Sequence, residues 1–290
     1  MTTASTPSPA IDASTRMGAG CLTVSDLERS VAYYRDAIGL RVLARDGAEA
    51  SLGAGGEALV HLVEVPGAPA SRGHTGLFHL ALRVPGRVDL ARWLAHAARD
   101  RVPLAGLSDH FVSEALYLQD PDDHGIEIYR DRPRPLWQNR VSEMTTAALD
   151  VEDLLGELAD PATEPFEGLP VGTDMGHVHL CVRDVPEAIA FYRDVLGLEL
   201  MATYGPDAAF LAAGGYHHHI GANVWQSMGA SPAPSDSAAL RHATIVLPTA
   251  AERDRVAGWV ADRAAHEPVS MDGGVLVRDP SGIALLLTAE

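Results

Sequence analysis

The sequence predicts an α+β protein of four βαβββ modules whose strands form paired cup-shaped mixed sheets. Three observations lead there. The segment Asp26–Leu40 recurs as Asp184–Leu198 at a constant offset of 158 residues, and repetition at a fixed offset marks a duplicated unit. Each copy follows a short alternating strand, Ala19–Val24 or His177–Val182. Two further segments, 78–130 and 243–289, run through strand, helix and strand pair in the same order.

In the first module the helix carries Val31, Tyr34 and Ile38 on one face. It starts at Asp26, a residue type that caps backbone donors, and stops at Gly39, suited to a left-handed cap. Strands are expected at Val42–Arg45, Glu49–Leu52 and Ala58–Val65. The second module gives a strand at Phe78–Val84 and a helix at Val88–Asp100. Strands Ser113–Gln119 and Gly125–Arg130 follow, joined through the turn Asp120-Pro-Asp-Asp-His-Gly125. The third repeats the first, with Ile189, Tyr192 and Leu196 on the helix, Asp184 and Gly197 at its ends, and a last strand within Gly215–Asn223. The fourth gives a strand at Ala243–Leu247, a helix at Ala250–Ala265, and strands Gly274–Arg278 and Ile283–Ala289.

The expected organisation is a disordered tail over 1–15, a two-module domain over 16–130, a linker over 131–172 and a second two-module domain over 173–290. The tail is rich in Ser, Thr, Pro and Ala, without the basic start and apolar run of a signal peptide. The linker holds Asp131-Arg-Pro-Arg-Pro135 and an acidic run from Asp150 to Asp160, where Leu154, Leu155 and Leu158 suggest a short helix.

A composition of 47% hydrophobic and 21% charged residues over 290 positions suits a globular protein. The net charge of −17 excludes nucleic acid and anionic membranes as partners, since both demand a basic surface. Cys21 and Cys181 lie in apolar strand contexts and read as reduced core residues, which points to the cytoplasm. A homo-oligomer is compatible with the sequence.

Paired modules with these motifs resemble the vicinal oxygen chelate superfamily, which includes glyoxalases, antibiotic-resistance proteins and extradiol ring-cleaving dioxygenases. The resemblance covers nearly all of residues 16–290. It implies a cup-shaped sheet around one metal, with ligands from the first and last strands of the modules. The opening-strand pattern places His79 in the second module and His177 in the third. The first module has Ala19 there, and the fourth has His242, read as structural. Glu127 lies seven positions after Asp120 on the last strand of module two, whereas seven positions after Asp279 stands Leu286. Two imidazoles and one carboxylate form the facial triad that suits non-haem Fe(II), with Mn(II) as the alternative.

A single strand histidine is more often a satisfied core residue than a ligand. Glu127 carries more weight, because a lone buried carboxylate costs several kcal/mol unless it is paired or metal-bound. His179, on the same strand face as His177, is the competing ligand. His61, His74, His96, His124 and His266 read as surface or loop residues, and Trp93 and Trp259 as core.

Type I extradiol dioxygenases, including bacterial catechol-2,3-dioxygenase-like proteins, are similar beyond the triad. Their pattern implies catalytic roles for Tyr117, ten residues before Glu127, for His110 on the preceding loop, and for His218 in His218-His-Ile-Gly221, with His219 one step away on the opposite face. The resemblance therefore implies cleavage of catechol or a substituted catechol by O2 at Fe(II). A glyoxalase-type isomerase or lyase, and a small-molecule sequestering resistance protein, are the alternatives. Since the matching groups lie in modules two and three, those modules must meet across the linker.

Overall fold

The computed structural model describes residues 10–271 and 273–290. Module one comprises β1 (Arg16–Val24), α1 (Leu27–Tyr33), β2 (Arg41–Asp46), β3 (Glu49–Gly53) and β4 (Ala58–Glu64). Module two comprises β5 (Gly76–Arg83), α2 (Arg87–Asp100), β6 (Gly106–Asp109), β7 (Ser113–Gln119) and β8 (Gly125–Asp131). The connecting segment contributes β9 (Ala147–Ala148) and α3 (Val151–Leu155). Module three comprises β10 (Asp174–Cys181), α4 (Val185–Ile189), β11 (Glu199–Tyr204), β12 (Ala208–Ala212) and β13 (Ile220–Asn223). Module four comprises β14 (Leu240–Leu247), α5 (Ala250–Arg263), β15 (Val269–Met271), β16 (Gly274–Arg278) and β17 (Ala284–Ala289).

The strands form two curled mixed sheets, in the orders β15-β16-β17-β14-β1-β4-β3-β2 and β11-β12-β13-β10-β5-β8-β7-β6-β9. Module one thus pairs with module four through β1 and β14. Module two pairs with module three through β5 and β10. Each sheet draws strands from both halves of the chain, and modules two and three meet as their histidines required. One contiguous apolar core spans both sheets and the helices.

The duplicated helices are built alike. Asp26 accepts the Arg29 N–H at 3.0 Å and Asp184 accepts the Glu187 N–H at 2.8 Å, satisfying donors that a helix start leaves open. Both helices widen into a π turn, Tyr34–Ile38 and Ala190–Val195. They end before Gly39 (φ 91°) and Gly197 (φ 89°), where left-handed backbone favours glycine. Buried tyrosine hydroxyls need acceptors. Tyr34 donates to Asp120 at 3.1 Å and Tyr192 to Asp279 at 3.0 Å, so each helix is tied to the turn of the following module.

Local details bear on three expectations. Residues 1–9 of the expected tail lie outside the described residues; within 10–15, Ile11 and Thr15 are buried and the others exposed. Ile11 is buried and donates its N–H to Gly197 O at 3.0 Å. The linker carries the expected short helix as α3, which lies along α2, and adds β9, which pairs with β6. His96 and His124 are buried: His96 stacks on Phe166 at 4.0 Å, and His124 Nδ1 lies 2.9 Å from Asp120 Oδ2. His61 is half-buried on β4 beside the Ser51 hydroxyl. Cys21 and Cys181 are free and buried, and no helix among the described residues is long and apolar enough to cross a membrane.

Candidate metal centre and its surroundings

The sheet register assembles the centre. His177 on β10 lies opposite Ala81 on β5, Ala81 lies beside Glu127 on β8, and Glu127 faces Tyr117 on β7. These four side chains share one sheet face in a row across four strands. His79, two residues before Ala81, stands on the same face, because strand side chains alternate. The Ala81 methyl leaves open the space above it that the longer neighbours enter.

His79 Nε2 lies 2.9 Å from Glu127 Oε2, His177 Nε2 lies 3.1 Å from that oxygen, and the two nitrogens are 3.3 Å apart. All three residues are buried. Metal bonds of about 2.1 Å meeting at right angles put neighbouring donors about 3.0 Å apart, so this triangle fits one face of an octahedron. Charge states fit too. Burial alone would raise the Glu127 carboxyl, but the charges and hydrogen bonds of His177 and His79 hold it well below the usual range. Burial pushes His177 down to about 4 against the pull of Glu127. An ionised carboxylate and a neutral His177 imidazole are forms in which such residues bind metals. Among the described residues this is the one such three-residue cluster.

In the sister sheet Thr244 lies beside Leu286, His242 stands in the place of His79, and Ala19 is the repeat equivalent of His177. The same pairing thus brings three candidate ligands together in one sheet and leaves His242 without such partners in the other, among the described residues.

A cavity of about 510 Å³ opens over the cluster. His110, Tyr117 and His218 all line it, as does His179; His219 does not. His110 Nδ1–H donates to Thr145 O at 2.7 Å, which leaves Nε2 to accept the Tyr117 hydroxyl at 2.7 Å. Burial, reinforced by the Glu127 charge, raises the Tyr117 phenol well above its ordinary range and keeps it a donor. His179 is wedged among Phe78, Phe210 and Trp225, with ring centroids 5.2–5.8 Å away, and stays outside the donor triangle.

The histidine triplet departs from expectation. It precedes β13 instead of forming part of it, because Gly214 (φ 59°) and Gly215 (φ 65°) turn the chain out of extended backbone. Adjacent residues need not alternate in such a turn. His218 packs on His177 with ring centroids 4.0 Å apart, and His217 lies behind it. His219 faces a separate crevice beside Arg83 and Tyr216, and its Nδ1 accepts the Ala213 N–H at 3.1 Å.

Asp131 and His217 belong to the surroundings of the site, although the sequence reading gave them no role. The signal for Asp131 was present, since Glu127, Tyr129 and Asp131 alternate onto one face of β8.

The pattern describing the Glyoxalase/Bleomycin resistance protein/Dioxygenase superfamily matches residues 16–128 and 174–287, the two halves that carry these strands. The chain belongs to this superfamily. It is 43% identical over 275 residues to a protein of Bacillus subtilis (strain 168) named catechol-2,3-dioxygenase, covering 92% of this chain and 94% of that one. The fold is shared with glyoxalase I from Zea mays (TM-score 0.58, 19% identity, 95% of this chain and 92% of that chain). It is also shared with the cppA protein from Streptococcus pneumoniae TIGR4 (TM-score 0.53, 13% identity, 95% and 98%). At these identities the two solved structures speak for the fold alone.

Proposed function

We propose that the protein is an Fe(II)-dependent extradiol dioxygenase that opens the ring of a catechol with O2. The observation that carries this reading is the buried triangle of His79, His177 and Glu127 beneath a cavity edged by His110, Tyr117 and His218. The 43% identity to a protein named catechol-2,3-dioxygenase supports it. Two imidazoles and one carboxylate leave coordination positions open, which suits Fe(II) and admits Mn(II). When bound there, the ion supplies the Lewis-acid and electron-transfer chemistry that lets a catechol react with O2.

The protein's own groups act on protons and orientation. His218, over the His177 ring, serves as the acid–base group that takes a catechol hydroxyl proton and later returns one. Tyr117 and His110 form one hydrogen-bonded unit anchored on Thr145 O, which holds the Tyr117 oxygen at the cavity as an acceptor for a substrate hydroxyl. Phe78, Phe210 and Trp225 give the aromatic ring an apolar wall and exclude water.

The wall also defines the substrate class. No arginine lines the cavity among the described residues, and the sequence has no lysine. A carboxylated catechol would lose hydration there without gaining a cationic partner. Uncharged catechols, plain or with apolar substituents, are therefore the proposed substrates. Two buried free thiols suit a reducing compartment, and we assign the enzyme to the cytoplasm.

The test is oxygen uptake with a panel of uncharged catechols after anaerobic loading with Fe(II). Stoichiometric uptake with a yellow ring-opened product is expected. Turnover of a hemithioacetal without oxygen uptake would favour a glyoxalase-type reaction instead.

A further inference from the structure

Behind His218 runs a chain of hydrogen bonds. His218 Nδ1 lies 2.8 Å from His217 Nδ1, and His217 Nε2 lies 2.7 Å from Asp131 Oδ1. Asp131 is itself held by Arg83 at 3.0 Å and accepts the Tyr216 hydroxyl at 2.9 Å. His217 is fully buried, with Tyr216 and Trp137 ring centroids 4.0 and 5.4 Å away.

The protons in this chain can be counted. Burial would raise the Asp131 carboxyl, but the hydrogen bond and charge of His217, followed by Arg83, keep it below its ordinary range. As a carboxylate it only accepts, so the proton facing it belongs to His217 Nε2. Each ring in its neutral form carries one N–H and one lone pair. His217 Nδ1 is therefore an acceptor, and the proton between the two Nδ1 atoms belongs to His218. The His218 lone pair then sits on Nε2, the ring nitrogen remote from His217.

We propose that Asp131 and His217 are positioning residues that fix His218 in the tautomer whose Nε2 accepts the catechol proton. The proposal rests on the acid–base role given to His218 above. In the step, the catechol O–H bond breaks and its proton passes to His218 Nε2. The resulting positive charge is shared through His218 Nδ1–H to His217, whose Nε2–H remains on Asp131. The carboxylate stays ionised and steadies the imidazolium. The proton returns to a substrate-derived oxygen as the ring opens, so none is gained or lost.

Asp131→Asn tests the polarity. Arg83 can only donate, so it claims the amide oxygen and turns the NH2 toward His217 Nε2. That nitrogen must then accept, His217 protonates on Nδ1, and His218 is left with its proton on Nε2. The expected result is a kcat lower by about 100-fold, the lower range of general acid–base contributions, with KM and bound metal changed by less than about twofold. His217→Gln preserves the polarity, since its amide NH2 donates to Asp131 and its oxygen accepts from His218. It should exceed His217→Phe in kcat by about tenfold or more. This pair keeps the proposal testable should Asp131→Asn fold poorly.

Ring 15N shifts of the histidines in the Zn(II)-loaded full-length protein read the tautomer without turnover. Wild type should carry the His218 proton on Nδ1, and Asp131→Asn on Nε2. A wild-type His218 protonated on Nε2, or an Asp131→Asn kcat within about threefold of wild type, would overturn the proposal. If the wild type has the Nδ1–H form but cleaves no catechol, the hydrogen-bond order stands and the ring-cleavage reading fails. If Asp131→Asn cleaves catechol normally, the cleavage reading stands and the positioning role fails.

Discussion

His177 and Glu127 stand on strands separated by a third, yet their ligand atoms are 3.1 Å apart, because the residue between them is Ala81. A larger side chain there would fill the space in which Nε2 and Oε2 converge. On the proposed metal site, affinity would then depend partly on a residue with no ligand atom.

Ala81→Leu should lower metal affinity by about 100-fold while costing about 1–3 kcal/mol in stability, the usual penalty for overpacking a core. Ala81→Ser should leave both near wild type. Competitive metal titration together with thermal unfolding checks the pair.

The triad predicts a ligand-linked stability. At a metal concentration about 100 times Kd, the native state should gain about 2.7 kcal/mol, or roughly 5 °C in melting temperature for a chain of this size. Glu127→Ala and His79→Ala should abolish that shift. Anaerobic differential scanning with Fe(II) or Mn(II) reads it.

Acid should weaken the fold through His242, away from the metal centre. Burial first, then His61 and Arg241, lowers this ring from 6.5 to about 4. The native state keeps His242 neutral while the unfolded chain takes up a proton below pH 6.5. Its contribution is therefore present above pH 6.5 and disappears as pH falls from 6.5 to about 4. Allowing for its partial exposure, the contribution is at most about 2 kcal/mol. Urea unfolding of wild type and His242→Gln at pH 7.5 and 4.5 checks it. The variant should lose less stability on acidification.

The absence of a cationic side chain from the cavity wall, among the described residues, predicts substrate preference. Protocatechuate should show kcat/KM at least about tenfold below that of catechol or 4-methylcatechol, because its carboxylate finds no cation. Introducing Arg at Thr203, on the cavity wall, should narrow the gap, as steady-state oxygen uptake would record.

Much of this was legible in the sequence because local rules and the duplication agree. Asp26 and Asp184 cap, Gly39 and Gly197 terminate, and the offset of 158 residues lets Ala19 be compared with His177. The placement of the donors in modules two and three also required those modules to pair. Other features depend on space instead of pattern. The four-residue β6 is too short for periodicity to register, and Ala81 looks like any small core residue. The histidine triplet resembled a strand because the effect of two consecutive left-handed glycines on the following residues is tertiary. Asp131 resembled the first residue of a linker, although β8 continues through it.

The most direct measurement is turnover of catechol under 18O2 by Fe(II)-loaded protein, with mass analysis of the ring-opened product. One O2 should be consumed per catechol and both labelled atoms should appear in a product cleaved beside the diol, with His177→Ala inactive. Cleavage between the two hydroxyl-bearing carbons, product without label, or full activity in His177→Ala would contradict the account.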